Sequence, residues 1–283
     1  MADTLLFTAG DLRVGPLEGA EQLAGPLSPQ GLDVLTLAEL CRGRYCAGFA
    51  VSRAAIEETL RLRYRVFNLE LGEGLAESHL TGMDRDRFDD QMTHMVVIDR
   101  QSQRIVGTYR MQTASEAMAA QGLYSAQEYD MAPLAELFPE TVELGRACVD
   151  AEHRSFATVM LLWAGIRAYA RVRRQRYLTG CCSLTTTDPD EGWRAMKLLR
   201  RKGHLDPGFM LRATPAYSCG PAEREFDADV LEMRKLPKLF SAYLRLGCTV
   251  ISEPAIDRDF QTVDFLILLD TYKVNFSSLT VAE

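Results

Sequence analysis

At 283 residues, with 47% hydrophobic and 25% charged side chains, the chain has the composition of an ordinary globular protein with a substantial core. A net charge of −7 argues against a general nucleic-acid binder, and the lack of any run of about 18 apolar residues argues against a membrane-spanning helix. Met1-Ala2-Asp3-Thr4 does not open a basic region followed by an apolar run, so no secretory signal is expected.

Residues 1–45 show weak periodicity and a Gly/Pro/Gln-rich stretch from Gly15 to Gly31, which predicts an N-terminal extension. The regular part of the chain is expected over 46–283. Tyr45 to Val51 reads as a short strand. Ser52 caps a helix running to about Asn68, with Ile56, Leu60, Tyr64 and Phe67 near one face. A polar connector, 72–92, precedes a hairpin of His94–Asp99 and Arg104–Thr113 turned at Gln101-Ser102-Gln103. After a mixed segment, Thr141–Val149 reads as a central strand. Phe156–Arg173 is a helix with Phe156, Val159, Met160, Trp163 and Ala170 facing the core, and Tyr177–Leu184 is the next strand. The following helix is punctuated by Asp188 as N-cap, Pro189 at N1, Glu191 at N3 and Gly203 beyond its end. Residues 205–234 carry no clear signal. Pro237–Leu246 is an apolar helix stopped by Gly247, with strands near Cys248–Ser252 and Val263–Leu269. Strands and helices are mixed, which predicts an α/β or α+β sandwich with one mixed sheet.

The seven cysteines have irregular spacing, which points away from a disulfide framework and towards a reducing compartment. No CxxC pair occurs and the four histidines are scattered, so no metal site is expected. Residues 154–204 carry 11 Lys/Arg against three acidic residues, a local balance of +8 that leaves −15 for the rest. A basic island on an acidic chain suggests one anionic partner.

Polar residues inside apolar strands are the most informative sites, because burying them is costly unless they are paired. Glu143 and Arg146 interrupt the strand at Val142–Val149, and Arg110 interrupts Val106-Gly-Thr-Tyr-Arg-Met111. These charges either satisfy one another in a structural network or serve a reaction. For Glu143 and Arg146, three apart, to reach one cleft, the strand must depart from alternation, and a bulge at Gly145 would do this. Asp86-Arg-Phe-Asp89 could hold a cation, or be an exposed acidic loop. Arg63-Tyr-Arg-Val66-Phe67 ends an amphipathic helix.

Taken in order, Arg63-x-x-Val66-Phe67, Asp86-x-x-Asp89, Arg110 and Glu143-x-x-Arg146 resemble acyl-homoserine-lactone synthases, a branch of the GNAT superfamily. A sister branch is more similar: the ornithine–acyl carrier protein N-acyltransferases that make lyso-ornithine lipid, also called haemolysin-like. That branch resembles this chain in Leu62-Arg-Tyr-Arg-Val-Phe67, Glu70-Leu-Gly72, Glu143-Leu-Gly-Arg-Ala-Cys-Val149, His153-Arg154, Leu162-Trp-Ala-Gly-Ile166, Leu236-Pro237, Tyr243-Leu-Arg-Leu-Gly247 and Asp259-Phe-x-Thr262-x-Asp264. The likeness covers roughly residues 48–275. The tryptophan found shortly after RxxVF in the signal synthases is absent, with Glu73 in its place, which makes lactone synthesis less expected.

The resemblance implies a GNAT-like mixed central sheet with helices on both faces. It also implies transfer of a fatty acyl chain from an acyl carrier protein thioester to the α-amine of an amino acid, ornithine in that branch. Residue by residue it nominates Glu143 as the catalytic base and Arg63, Phe67, Asp86, Asp89, Arg110 and Arg146 as substrate-binding, with Asp86 and Asp89 holding a cationic acceptor and Arg110 or Arg146 its carboxylate. The donor is an acyl-phosphopantetheine thioester, and no separate cofactor is implied. Peripheral membrane association and a cytoplasmic location, at the inner face of the membrane, accompany such a lipid product. Coenzyme A pyrophosphate needs bare backbone at a glycine-rich helix entry. Arg154-Ser-Phe-Ala-Thr-Val159 has no glycine there, which favours the carrier protein's single phosphate. Carrier proteins are acidic, so Arg171, Arg173, Arg174, Arg176, Lys197, Arg200, Arg201 and Lys202 are the expected docking residues. The competing readings are an acyl-CoA-dependent N-acyltransferase and a non-catalytic membrane-surface protein.

Overall fold

The computed structural model describes residues 34–221 and 236–274. In chain order the elements are β1 (Val34–Arg42), β2 (Tyr45–Ala50), α1 (Arg53–Tyr64), α2 (Ser78–Thr81), β3 (Thr93–Asp99), β4 (Arg104–Thr113), α3 (Ala114–Met118), β5 (Thr141–Val149), α4 (Phe156–Val172), β6 (Tyr177–Leu184), α5 (Pro189–Arg201), α6 (Lys238–Leu246), β7 (Thr249–Val250), β8 (Ala255–Asp257) and β9 (Thr262–Asp270). Contacts divide the chain into two compact units. The first holds 34–112 and 144–174, and the second holds 113–143 and the described residues from 175 to 274.

In the first unit, β1, β2, β3 and β4 form an antiparallel meander, and the C-terminal part of β5 lies beside β4. Two helices cover its two faces. Met95 of β3 lies under Gly165 of α4. Its neighbour His94 points the other way, towards Asp89, which is paired with Arg63 of α1. Ser52 caps α1 by accepting from the Ala55 backbone NH at 3.2 Å. The helix then widens into a π-helical turn, Arg65–Glu70, where the Leu71 NH reaches back five residues to the Val66 carbonyl at 3.0 Å. Such turns are rare and often mark functional segments.

The second unit has a parallel pair, β5 with β6, in the register Thr141↔Tyr177 to Glu143↔Thr179. β6 continues antiparallel to β9, which also pairs with β7 and β8. α5 begins as expected: Asp188 accepts from the Asp190 NH at 2.9 Å, Pro189 follows, and Lys197, Arg200 and Arg201 face outwards while Trp193, Met196 and Leu199 are buried. A cluster including Leu123, Tyr129, Leu134, Leu211, Ile251, Leu266 and Leu268 forms this unit's core. Parallel and antiparallel pairs together with helices give the mixed α/β class expected from the sequence.

Two expectations need correcting. The stretch read as an extension to residue 45 contains β1, because Val34–Arg42 hydrogen-bonds to β2. A register shift between Thr36 and Cys41 breaks its alternation, which hides the strand in the sequence. Residues 1–33 lie outside the described residues. The cysteines are also not all reduced: Cys41 and Cys46 form a disulfide, with Cα atoms 4.0 Å apart. The two-residue turn Gly43-Arg44, with Gly43 at φ +53°, brings them into direct register, while the other five cysteines are free thiols.

Candidate active site

Within the first unit the motif residues converge on a buried ion network. Arg63 is fully buried; its Nε donates to Asp84 Oδ2 at 2.8 Å and its Nη1 to Asp89 Oδ1 at 2.6 Å. Arg110 Nη1 donates to Asp86 at 2.6 Å and to Asp89 at 2.8 Å. Arg146 donates to Asp86 at 3.2 Å and lies 3.3 Å from Asp84. Three arginines thus face three aspartates. Burial opposes each of these charges, but the pairing prevails: Asp84 and Asp89 hold Arg63 above the usual arginine value, and Arg63 and Arg110 hold the Asp89 carboxyl well below the carboxylate range. His94 donates from Nε2 to the Asp89 carbonyl at 3.0 Å, and burial lowers its pKa.

The sequence joins these residues only by order; the structure supplies their contacts. Asp86 and Asp89 are occupied by arginines and by the backbone NH groups of Phe88 and Asp86, rather than open to a cationic acceptor. Phe67 is buried on the π-helical turn. The departure in β5 expected at Gly145 falls one residue later, where Arg146 takes φ +52°. That left-handed backbone is costly for a side-chain-bearing residue and is held here by the ion pairs.

Glu143 belongs to the second unit and is 1% exposed. Its carboxylate accepts from the Tyr124 NH at 2.9 Å, the Ser125 NH at 2.8 Å and the Ser125 hydroxyl at 2.7 Å. The donors come from a short 3₁₀ turn, Tyr124–Gln127, which the sequence did not reveal. Beyond Ser125 the network continues through Cys181 Sγ, 3.9 Å from Ser125 Oγ and 3.7 Å from Glu128 Oε2. Glu128, Cys181 and Asp264 bring ligand-type atoms within 4.8 Å of one another, as do Asp150, Glu152 and His153 in the first unit.

With this geometry in place, the acetyltransferase (GNAT) domain profile matches residues 62–164. The L-ornithine N(alpha)-acyltransferase of Brucella abortus is 34% identical over 238 residues, covering 80% of this chain and 84% of that protein. The protein of that name from Agrobacterium fabrum is 34% identical over 76% of each chain. This chain belongs to the L-ornithine N(alpha)-acyltransferase family. It is an N-acyltransferase built on a GNAT domain. Among solved structures, an N-acyl amino acid synthase from uncultured soil microbes is 15% identical, covers 81% of this chain and 92% of its own, and superposes with a TM-score of 0.48, too loosely to bear on the chemistry.

The family assignment does not by itself place the donor. At the start of α4, Ser155 accepts from the Thr158 NH at 3.3 Å, and the neighbouring Arg154 is paired with Glu70 at 2.6 Å. Arg171, Arg173 and Arg174 are exposed at the C-terminal end of α4, with Arg173 over the Tyr169 ring. Lys197, Arg200, Arg201 and Lys202 are exposed on or just after α5. Arg176 differs from these, because it is half-buried and forms a two-point ion pair with Asp270 at 3.0 and 2.7 Å. Among the thiols, burial raises Cys148 to about 12 and pushes Cys181 and Cys182 well above their ordinary value, which leaves no ready thiolate nucleophile at these positions.

Several site residues escaped sequence reading. Asp84 sits two residues before Asp86 with no pattern to separate it from its neighbours. Ser125 and Glu128 lie in a segment without periodicity. Asp264, quoted above in the Asp259-to-Asp264 motif, was given no role there, although it interrupts the apolar strand Val263–Leu269 as Glu143 interrupts its own.

Proposed function

We propose that this protein transfers a fatty acyl group from an acyl carrier protein thioester to the α-amine of L-ornithine. The observation that carries the acceptor is the 34% identity, across 80% of this chain, to a protein named for that reaction. The α-ammonium must lose a proton before its nitrogen can attack the thioester carbonyl. Glu143, with the Ser125 hydroxyl on its Oε1, is the proton acceptor in this reading. The amine nitrogen forms the amide bond as the carbon–sulfur bond breaks, and the pantetheine thiol leaves carrying a proton. No acyl-cysteine intermediate is needed.

The carrier-protein donor is favoured by the glycine-free entry to α4, where side chains at Ser155 to Val159 crowd the approach a pyrophosphate would need. The exposed arginines and lysines of α4 and α5 suit an acidic carrier. The acyl-phosphopantetheine is a substrate here, with no separate cofactor. A cytoplasmic reaction, with peripheral membrane contact for the lipid product, completes the reading. Purified protein given L-ornithine and a long-chain acyl carrier protein should yield N-acylornithine by mass spectrometry, more slowly with the matched acyl-CoA. Glu143→Gln should lower turnover by about 100-fold or more while the circular dichroism spectrum is retained. Undiminished turnover in that variant would remove Glu143 as the base.

A further inference from the structure

The two units treat their buried carboxylates differently. In the first, three arginines neutralise three aspartates. In the second, among the described residues, no arginine, lysine or histidine is paired with Glu128 or Asp264, although they are only 1% and 5% exposed. Glu128 comes from the turn after Tyr124–Gln127, and Asp264 from β9. They lie within hydrogen-bonding reach of each other. Glu128 Oε1 and Asp264 Oδ1 have no other partner, and the hydroxyl of Thr262, two residues earlier in β9, faces the Asp264 carboxylate. At this depth such oxygens need either a proton held between them or a cationic guest.

The nearby Asp257 does not belong to this group. Its oxygens accept from the backbone NH groups of Asp259 and Phe260, both at 2.9 Å, and from the Tyr124 hydroxyl at 3.5 Å. The pair lies against β6. Cys181 and Ser183, on the same face of that strand, are partly exposed, and they contact Glu128 and Asp264 respectively. The carboxyl pair therefore lies one side chain below the surface. Through Cys181 and Ser125 it is also linked to Glu143.

We infer that Glu128 and Asp264 form the subsite that receives the side-chain ammonium of the amino-acid acceptor, with Thr262 as a third oxygen around it. This rests on the amino-acid N-acyltransferase reading above and adds the residues that choose a cationic side chain. An ammonium carries three N–H donors, which match Glu128 Oε1, Asp264 Oδ1 and Thr262 Oγ1. Without the guest, two close carboxylates cannot both ionise in a buried setting, so they share a proton. Burial, first, and the charge of Asp257 push Asp264 up to about 6, while burial, first, and the charges of Asp264 and Asp257 push Glu128 well above its ordinary value. When the ammonium enters, that proton passes to solvent and the pair becomes fully charged against the incoming cation.

The test compares L-ornithine with L-norvaline, which has the same carbon chain without the side-chain amine. Wild type should prefer ornithine in kcat/KM by about 100-fold or more, because a site built for a polar group rejects the analogue lacking it. Glu128→Gln and Asp264→Asn should each lower kcat/KM for ornithine and leave norvaline within a few-fold, which collapses the preference. Equal losses for both substrates, or retained preference, would overturn the subsite while leaving the acyltransferase reading intact. No acylation of any amino acid by wild type would overturn both. A readout on wild type alone guards against a misfolded variant. The ornithine-to-norvaline ratio of kcat/KM should fall as pH drops through about 6, since Asp264 takes up a proton there; Asp257, Glu143, Cys181, Cys182 and Tyr129, the other titratable groups around the pair, face both substrates alike. A flat ratio, or a stoichiometric metal ion found in the purified protein by mass spectrometry, would also overturn it.

Discussion

Arg63 shows why a motif residue can be indispensable without touching a substrate. Its guanidinium is fully buried, and it is the group common to Asp84 and Asp89. Removing one partner of a buried ion network costs far more than the network contributes, because the remaining charges are stranded. Arg63→Met should therefore lower stability by about 3–5 kcal/mol in denaturant titration. Arg63→Lys should recover only part of this, as an ammonium cannot bond two carboxylates in fixed fork geometry. At this scale the sequence was partly legible. Arg110, Glu143 and Arg146 stood out because a charge inside an apolar strand has few explanations. Which charges meet was not legible, since Asp84, Asp86 and Asp89 reach their arginines across 21 to 62 residues of chain.

At the scale of elements, α4 packs tightly at Gly165. A Cβ placed on Gly165 would collide with the sulfur of the fully buried Met95, so α4 approaches β3 as closely as it does only because position 165 has no side chain. Gly165→Ala should gain helix propensity yet destabilise the protein by about 1–3 kcal/mol, read as a lower Tm, because overpacking outweighs propensity. Met95→Ala in the same background should restore part of the loss. Elements with strong local punctuation were predictable: α5 declares itself through Asp188, Pro189 and Gly203, and β6 runs over the expected residues, Tyr177–Leu184. The three residues of β8 were too few to show a period, and the 3₁₀ turn that holds Glu143 takes part of its anchoring from that distant carboxylate.

For the molecule as a whole, the two buried carboxylate groups give stability opposite dependences on pH. Asp84 and Asp89 have depressed pKa values, so the unfolded chain takes up protons that the folded one refuses, and stability falls as pH drops through the ordinary carboxylate range. Asp264 is raised from 3.8 to about 6, so the folded state holds a proton the unfolded chain has released, and stability falls as pH rises through that interval. Thermal denaturation across pH should show Asp264→Asn matching wild type near pH 4 and exceeding it above pH 7, by on the order of 3 kcal/mol. Equal pH profiles for the two proteins would contradict the raised value. Composition and charge pointed to a basic island with one anionic partner; its residues lie on or next to α4 and α5, and Arg176 is committed to Asp270.

The π-helical turn at Arg65–Glu70 has a consequence for which changes of length this chain can bear. Such a turn is a helix holding one residue more than an α-helical ladder accommodates. Deleting Arg65 or Val66 would let the ladder close as ordinary α-helix and rotate the downstream chain by about 100° relative to Arg63. Phe67 and Asn68 would leave their buried positions, and the Asn68 amide would lose the Leu75 carbonyl it donates to at 2.9 Å. Substitutions here would be judged one side chain at a time, but a single-codon deletion would be judged by every residue placed after it.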